Sequence, residues 1–323
     1  MTGGSLYSAE DYGRVAVCAG GNSAEREISL NSGAATAQAL QARGIDAELV
    51  DLDERFFTRA LAGDFDRVFI VLHGCGGEDG SLQGFLDLIN LPYTGSGVAA
   101  SVLGMDKLLS KLLWQSAGLP TPAWKTVNSL SSLVQAAETL SLPLMVKPVS
   151  EGSSIGMSLV ETEGQLADAW QTANAQNQPV MAERYINGDE YTAALVMEES
   201  LPLVRITTPH KFYDYKAKYY SDQTGYYCPA GLAPAEERAL ADLARQAFEV
   251  LGAAGWGRVD LMLGEDGQPW LIEVNTVPGM TDHSLVPMAA AAMGWHFEDL
   301  VVAILQSSMQ RRFNSSLRRV AHG

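Results

Sequence analysis

The sequence predicts a mixed α/β protein in several parts, and three observations support this fold class. Apolar strand-like segments alternate with helical patterns over the first hundred residues, as they do in proteins with a parallel sheet. From Glu190 onwards strand patterns dominate, so we expect an α+β arrangement there. The chain has 323 residues, 47% of them hydrophobic, which is enough for two or three domains with apolar cores.

The N-terminal part is expected to carry two glycine-rich loops at one edge of its sheet. A helix predicted at residues 23–43 follows the first strand and ends at Gly44. Ligands of parallel sheets bind near the carboxyl ends of the strands, and those ends carry the loops at 20–25 and 73–80. The predicted strands lie at residues 14–19, 47–51 and 67–72.

The chain divides where this pattern changes. A helix predicted at 105–118 ends before Pro120 and Pro122, and strands and helices of a second unit follow. Residues 1–13 are polar and lack a signal-peptide pattern, so we expect a frayed extension. The predicted parts are this flexible extension at 1–13, an N-terminal α/β domain at 14–104, a central subdomain at 105–190 and a C-terminal substrate domain at 191–323.

Composition narrows the classes of partner. The net charge is −16, which disfavours nucleic acid or an anionic membrane as the main partner. No apolar run approaches the roughly 20 residues that span a bilayer. The three cysteines are widely spaced and odd in number, so the sequence predicts neither a disulfide framework nor a zinc site, and a reducing cytoplasm is expected.

A hairpin predicted between Arg258 and Asn275 carries the most informative pattern. With a two-residue turn at Asp266–Gly267, Asp260 lies opposite Glu273, and Arg258 lies opposite Asn275. Facing carboxylates repel each other unless a cation lies between them, and oxygen donors suit Mg²⁺, which bridges to nucleotide phosphates. A solvated polar face is the alternative. The expected apolar face comprises Val259, Leu261, Leu263, Trp270, Ile272 and Val274.

A second motif joins a strand lysine to a Gly/Ser loop. Lys147 lies on a predicted strand, and the loop at 151–156 contains Ser153 and Ser154. Backbone N–H groups, hydroxyls and the ammonium could together hold phosphate, although a plain turn is the alternative. A match to the dinucleotide fingerprint at 95–100 does not follow the first strand, so we interpret it as a tight turn that leads into a helix.

Four further features each leave more than one interpretation open. Glu25 fits a capping box or a ligand role. His73 with Cys75 suggests a cysteine nucleophile, but a hydrogen-bonding loop histidine fits better. Aromatics and lysines interleave at 212–222, which fits a mobile lid, a nucleic-acid stacking surface or an exposed loop. Backbone N–H groups at 278–285 could hold a carboxylate or an oxyanion.

In this order the motifs resemble those of the D-alanine–D-alanine ligases, which are members of the ATP-grasp superfamily. The resemblance runs from Val15 to about Leu305. It rests on GGNSAERE (20–27), HGCGGEDG (73–80), YTGSG (93–97), MDK (105–107), EGSSIG (151–156), YDYKAKY (213–219), GRVD (257–260) and EVNTVPGM (273–280).

The resemblance implies an ATP-grasp fold, with an N-terminal Rossmann-like parallel-sheet domain followed by two α+β domains that clamp ATP. It also implies a reaction in two steps, for peptidoglycan precursor synthesis. One D-alanine carboxylate takes the γ-phosphoryl group of ATP, and the amine of a second D-alanine then displaces phosphate. The implied ATP contacts are Lys107, Lys147, Ser153, Ser154, Glu183, Arg184, Ile186, Glu190, Phe212, Lys218, Met262 and Ile272.

The same resemblance implies the metal and substrate residues. Two Mg²⁺ ions, or Mn²⁺ in their place, are expected on Asp260, Glu273 and Asn275. Glu25 would hold the ammonium of the first D-alanine, with His73 nearby. The remaining implied residues are Arg258 and the Gly279 N–H for the oxyanion, Ser284 and the Leu285 N–H for the second carboxylate, and Ser153 with Tyr219 for a link to the lid.

Alternatives remain within and beyond this family. A ligase forming D-alanyl-D-lactate or D-alanyl-D-serine would use the same machinery. Cys75 and Lys216 depart from the family pattern, so a nucleotide-binding relative without catalysis also stays open. A dinucleotide-dependent oxidoreductase is a remote third interpretation. The resemblance further suggests a cytoplasmic homodimer, with two D-alanine molecules and ATP as partners.

Overall fold

Three sheets organise the part of the chain that is described in the computed structural model. The structure describes residues 7–150, 152, 154–175, 177–208, 224–281 and 284–310. The first sheet is parallel, and the other two are antiparallel. This arrangement confirms the predicted fold class, because a parallel N-terminal sheet is followed by α+β structure.

The N-terminal sheet has the order β2-β1-β3, and all of its strands are parallel. Every residue of β1 is buried, as expected for a central strand covered on both faces. The first helix begins at Arg26, three residues later than predicted, because the residues before it form a turn at the sheet edge. The elements are β1 (Val15–Ala19), α1 (Arg26–Ala42), β2 (Ala47–Asp51), α2 (Glu54–Leu61), β3 (Arg67–Ile70) and α3 (Ser81–Leu88).

The prediction of a frayed extension over residues 1–13 is wrong for the segment that the structure describes. Ala9–Tyr12 forms a 3₁₀ turn, and the Tyr12 side chain is 1% exposed. The Arg67 guanidinium donates to the Tyr12 carbonyl (2.6 Å) and lies over the Tyr12 ring. An aromatic anchor and a buried cation therefore attach this segment to the first sheet.

The second sheet has the order β4-β7-β5-β6. Leu144 and Val146 on β5 point into an apolar core beneath two helices, whereas Met145 and Lys147 alternate to the opposite face. In this sheet residues 144–146 pair with residues 158–160, which confirms the predicted strand pair. The elements are β4 (Trp124–Val127), α6 (Leu130–Leu140), β5 (Leu144–Pro148), β6 (Ser158–Val160), α7 (Leu166–Ala173) and β7 (Val180–Arg184).

The third sheet has the order β11-β10-β8-β12-β13, with β9 paired to β8. Its strands are β8 (Gly188–Val196), β9 (Glu199–Ser200), β10 (Val204–Thr207), β11 (Gly225–Tyr227), β12 (Trp256–Gly264) and β13 (Pro269–Asn275). Helices α4 (Val98–Met105), α5 (Lys107–Ser116) and α8 (Pro234–Val250) pack against β12 or β13 of this sheet.

Helix α5 belongs to the core of this third sheet. Trp114 is fully buried there, and its indole N–H donates to the Ala247 carbonyl on α8 (2.9 Å). The predicted central subdomain at 105–190 includes α5. The apolar face of α5 packs on α8 and β13, a long-range contact that periodicity does not show.

The chain returns to its N-terminal part through two final helices. Helices α9 (Leu285–Ala292) and α10 (Phe297–Gln306) follow β13, and α10 packs against α1. Among the described residues no single helix is long and apolar enough to cross a membrane. In this described part of the chain, α9 and the segment from Phe297 to Met309 are long and apolar enough only when they are taken together, and the chain bends by 108° between them.

The hairpin of β12 and β13 has a longer turn than predicted and a bulge that compensates for it. The loop holds three residues, 265–267, and the Gly264 N–H donates to the Gln268 carbonyl (2.9 Å). Near the turn Leu261 therefore lies opposite Leu271. A bulge at Ile272 restores the predicted register, and Asp260 faces Glu273.

This bulge corrects the predicted apolar face. Leu271 is fully buried in the core, whereas Ile272 lines a cavity on the other face. Trp270 pairs with Met262, another cavity residue, and the Arg184 guanidinium lies 5.2 Å from its ring centre. The placement of Ile272 and Trp270 on the apolar face was therefore wrong.

Candidate active site

Two opposed carboxylates on β12 and β13 form the centre of the site, and each has a cationic partner. Arg258 donates to both oxygens of Asp260, Nε to Oδ1 at 2.8 Å and Nη2 to Oδ2 at 2.7 Å. The Thr192 hydroxyl on β8 donates to Asp260 Oδ1 (2.6 Å). Lys107 Nζ lies 3.2 Å from Glu273 Oε2. The like charges are therefore offset across the hairpin rather than left to repel.

A cavity of about 820 Å³ opens beside these carboxylates, between the second and third sheets. Residues of β5, β7, β8 and β12 contribute to its wall, so it lies where two separately folded sheets face each other. The wall contains most of the residues that the resemblance implied for ATP and metal: Lys107, Lys147, Ser154, Glu183, Arg184, Ile186, Glu190, Asp260, Met262, Ile272 and Glu273.

A buried ion triad stands at one side of the cavity. Glu183 Oε1 accepts from Lys147 Nζ (2.9 Å), and Glu183 Oε2 lies 2.5 Å from Lys111 Nζ. Burial raises the pKa of Glu183, but the two lysines lower it by more than burial raises it. The pKa of the Glu183 carboxyl is therefore below its ordinary value. Burial lowers the pKa of Lys111 to about 8. The sequence analysis missed Lys111, because a lysine in a helix usually reads as a solvated residue.

Glu25 and His73 meet at the edge of the first sheet. Glu25 precedes α1 and its side chain makes no capping hydrogen bond, so the capping-box interpretation is wrong. A Cβ built on Gly74 or Gly152 would lie 3.4 or 3.5 Å from Glu25 Oε2. The loops that carry Gly74 and Gly152 therefore both lie close to this carboxylate.

His73 is held as a neutral ring in this pocket. Its Nδ1 lies 2.9 Å from the Val277 carbonyl, and its Nε2 is buried without a hydrogen-bond partner among the described residues. Burial lowers the pKa of His73, with a further lowering from Arg258, against an opposing effect of Glu25. The predicted loop histidine with a hydrogen-bonding role is confirmed by the Nδ1 contact.

Glu78 is a second carboxyl of this pocket that the sequence analysis did not single out. Its Oε2 accepts from the Gly74 N–H (2.5 Å). Burial, and then the charge of Glu25, raise the pKa of Glu78 to about 8. Glu78 is thus a protonated acid at neutral pH, a state that no local sequence pattern reveals.

The loop before α9 supplies backbone donors beside Ser284. A Cβ on Gly279 would lie 2.8 Å from Ser284 Oγ, and that hydroxyl accepts from the Thr281 N–H (3.0 Å). The Met280 N–H donates to Ser32 Oγ on α1 (3.2 Å), which fixes the loop against the first sheet. Leu285 begins α9, so its N–H lies at a helix N-terminus, where an anion is favoured.

The donor set fits a magnesium ion that shares its ligands with a nucleotide. Among the described residues no group of three or more His, Cys, Asp or Glu could hold a metal. Asp260 and Glu273 provide two carboxylates, and the side-chain oxygen of Asn275 accepts from the Val277 N–H (3.0 Å) while retaining a second lone pair. Such a set suits Mg²⁺, which takes one or two carboxylates and completes its shell with phosphates and water.

Four of the predicted site residues cannot be placed. Ser153, Phe212, Lys218 and Tyr219 lie outside the described residues, as does the predicted lid. The other predicted residues fall into two groups. One lines the cavity, and the other surrounds His73 and Ser284. The Arg258–Asp260 pair joins them, since Asp260 lines the cavity and Arg258 acts electrostatically on His73.

Family models of known proteins match the parts of the chain that form most of the cavity wall and part of the first sheet. The D-ala D-ala ligase C-terminus family model matches residues 113–306, and the D-ala D-ala ligase N-terminus model matches residues 55–96. A D-alanine–D-alanine ligase from Methylococcus capsulatus is 53% identical over 303 residues, which cover 94% of this chain and 98% of that protein.

Two solved structures support the fold prediction. A Bacillus anthracis D-alanine–D-alanine ligase complexed with ATP superposes with a TM-score of 0.80 at 32% identity, covering 92% of this chain and 97% of that one. The VanG D-Ala:D-Ser ligase from Enterococcus faecalis gives a TM-score of 0.79 at 28% identity, covering 91% and 99%. The ATP-grasp fold that the resemblance implied is confirmed. With matches over nearly its whole length, the chain belongs to the D-alanine–D-alanine ligase family.

Proposed function

We propose that this protein joins two D-alanine molecules into D-alanyl-D-alanine at the expense of ATP, for peptidoglycan precursor synthesis. The observation that carries the proposal is the Arg258–Asp260 pair. Asp260 lines a cavity that contains cations and carboxylates, and Arg258, which is hydrogen-bonded to Asp260, acts electrostatically on His73, as Glu25 also does. A phosphoryl donor and an amino-acid acceptor bound at these two places would meet at this pair.

The cavity suits ATP with its phosphates at the carboxylate end. Lys107 and Lys147 supply positive charge there, and Ile272 and Met262 supply apolar surface for a base. Glu183, Arg184, Ile186 and Glu190 line the rest of the wall, where adenine and ribose would bind. Asp260, Glu273 and Asn275 would hold two Mg²⁺ ions or Mn²⁺. The ions neutralise phosphate charge when bound.

The first D-alanine would bind with its ammonium on Glu25, beside the neutral His73. Its carboxylate would attack the γ-phosphate to give an acyl phosphate and ADP. The amine of the second D-alanine would then attack the acyl carbon, and the negative charge of the tetrahedral intermediate would be stabilised by Arg258 and the Gly279 N–H. Cleavage of the acyl C–O bond would release phosphate, and the amine would lose a proton, to leave the dipeptide. Ser284 and the Leu285 N–H would hold the second carboxylate at the start of α9.

D-alanine-dependent ADP formation by the purified chain tests this function. We expect ADP and D-alanyl-D-alanine in equal amounts when D-alanine, ATP and Mg²⁺ are present, and no ADP with L-alanine. ATP binding without D-alanine-dependent ADP would instead favour a non-catalytic nucleotide-binding relative. A titration with NADH, for which we expect no binding, covers the oxidoreductase interpretation.

The acceptor is the finer part of the proposal. D-serine and D-lactate are the alternatives, and the matched VanG structure is named as a D-Ala:D-Ser ligase. The 53% identical relative is named as a D-alanine–D-alanine ligase, which favours D-alanine. Phosphate release is measured with each of the three acceptors in turn. The absence of turnover with D-alanine as acceptor would contradict the proposal that D-alanine is the second substrate.

The proposal includes a cytoplasmic homodimer. Cys18, Cys75 and Cys228 are not joined by disulfides in the described part of the chain, which suits a reducing compartment that also supplies ATP. Light scattering of the purified chain tests the dimer, and a single species at the mass of one chain would contradict it.

A further inference from the structure

Lys111 is a buried cation that faces away from the cavity. It lies one helical turn after Lys107 on α5, and its side chain has 0% exposure. Its ammonium contacts Glu183 Oε2 (2.5 Å), Thr121 Oγ1 (2.5 Å) and the Pro122 carbonyl (3.1 Å). The contacts with Thr121 and Pro122 are hydrogen bonds, the contact with Glu183 is an ion pair, and Lys111 does not line the cavity. Lys111 is therefore not placed to bind a nucleotide itself.

Glu183 connects Lys111 to the cavity. Its second oxygen accepts from Lys147 (2.9 Å), and both Glu183 and Lys147 line the cavity wall. The side chains of Lys147 and Glu183 are 2% and 5% exposed. Among the described residues, Glu183 Oε1 is the hydrogen-bond acceptor of Lys147, so the position of the Lys147 ammonium depends on where Glu183 is held.

The charge of the triad depends on Lys111. Two lysines and one glutamate leave a net charge of +1, which Lys147 presents to the cavity. Without Lys111 the charge of Glu183 would act on Lys147 alone, and the Lys147 ammonium would be drawn towards Glu183 and away from the cavity. Charges act strongly here, because burial reduces the screening by water.

We propose that Lys111 is a positioning residue for nucleotide phosphates, which neutralises and orients Glu183 so that Lys147 keeps its charge directed at the cavity. This inference rests on the proposed function, since it requires a polyphosphate in the cavity.

A double-mutant cycle on the full chain tests it. The dissociation constants of ATP and of adenosine are measured by calorimetry, in the presence of Mg²⁺, for wild type, Lys111→Met, Glu183→Gln and the double variant. We expect Lys111→Met to weaken ATP on the order of tenfold and adenosine by less than about twofold, because adenosine carries no phosphate. In the Glu183→Gln background the same substitution should change ATP affinity by less than about twofold, because a neutral glutamine does not draw the Lys147 ammonium away from the cavity.

Three results would overturn the inference. ATP and adenosine could weaken equally in Lys111→Met, the loss of ATP affinity could be as large in the Glu183→Gln background as in wild type, or Lys111→Met could bind ATP like wild type. If Lys111→Met does not fold, as judged by its thermal transition, Glu183→Gln is compared with the double variant, which removes both partners of a buried ion pair, and a loss of ATP affinity of about tenfold between these two overturns the inference. A wild type that binds no ATP defeats the proposed function instead.

Discussion

Asp260 and Glu273 lie directly opposite each other on β12 and β13, and each carboxylate already contacts a cation. Arg258 binds Asp260 through two hydrogen bonds, and Lys107 lies beside Glu273. Two acids and two bases thus form a charge-balanced cluster at the end of the cavity. When a metal ion binds the two carboxylates, Arg258 and Lys107 become available to phosphates. Each carboxylate then still has a positively charged partner, so none is left uncompensated.

Substitution of Glu273 by glutamine should remove most of the activity while the fold is retained. The variant keeps the shape of the side chain but loses one of the two opposed carboxylates that suit Mg²⁺. We expect D-alanine-dependent ADP formation to fall on the order of a hundredfold, with an unchanged thermal transition. The control is Glu265→Gln at the solvent end of the same hairpin, which should turn over like wild type. Normal turnover by Glu273→Gln would remove this residue from the metal site.

Glu25 and Glu27 provide a matched pair of carboxylates at the start of α1. Glu25 approaches Gly74 and Gly152, whereas Glu27 is exposed. We expect Glu25→Gln to raise the KM for D-alanine at the first site by tenfold or more, because a charge-assisted contact with an ammonium is lost, on the order of 2 kcal/mol. Glu27→Gln should leave steady-state kinetics unchanged. Equal effects of both substitutions would show that the helix terminus, not a specific contact, matters.

The bulge on β13 predicts opposite consequences for two neighbouring residues. Leu271 is 0% exposed in the core of the third sheet, and Leu271→Ala should reduce the free energy of unfolding by about 2–5 kcal/mol. Ile272 lines the cavity, so Ile272→Ala should weaken ATP binding with a smaller loss of stability. Urea unfolding and ATP titration of both variants measure the two effects. The reverse result would mean that the predicted register without a bulge is the right one.

Glu78 should make the stability of the protein depend on pH in a defined direction. Its pKa is about 8 in the folded state, against 4.5 for an ordinary glutamate, because of burial and the Glu25 charge. Between these values the folded state holds a proton that the unfolded state releases, so stability falls as pH rises from about 4.5 to about 8.

Glu78→Gln removes that dependence, since glutamine stays neutral and keeps an acceptor for the Gly74 N–H. The free energy of unfolding of the variant, relative to that of wild type, should therefore be higher at pH 9 than at pH 5, by on the order of 1 kcal/mol or more. Urea unfolding at both pH values measures the difference, with Glu27→Gln as control. If the difference in free energy of unfolding between the variant and wild type does not increase with pH, Glu78 is ionised in the folded protein.

Local patterns in the chain were sufficient for several of these features. Alternation along the hairpin placed Asp260 opposite Glu273, because side-chain direction in a strand repeats every two residues. The strand–helix alternation predicted the parallel sheet, and the turn at 95–100 leads into α4 as expected. The order of motifs indicated the family, since their spacing reflects one arrangement of loops around a shared site.

Packing between distant elements decided what the sequence could not show. The bulge at Ile272 compensates for a three-residue turn, and strand alternation cannot predict an inserted residue. Lys147 and Glu183 are 36 residues apart, and only the pairing of β5 with β7 and the docking of α5 bring Lys111 to them. The protonation of Glu78 likewise follows from burial beside Glu25, a property of the assembled loops rather than of any segment. Residue types and the order of motifs identify the chemical groups and the family, whereas folding sets which charges share a buried environment, because burial and long-range contacts exist only in the folded chain.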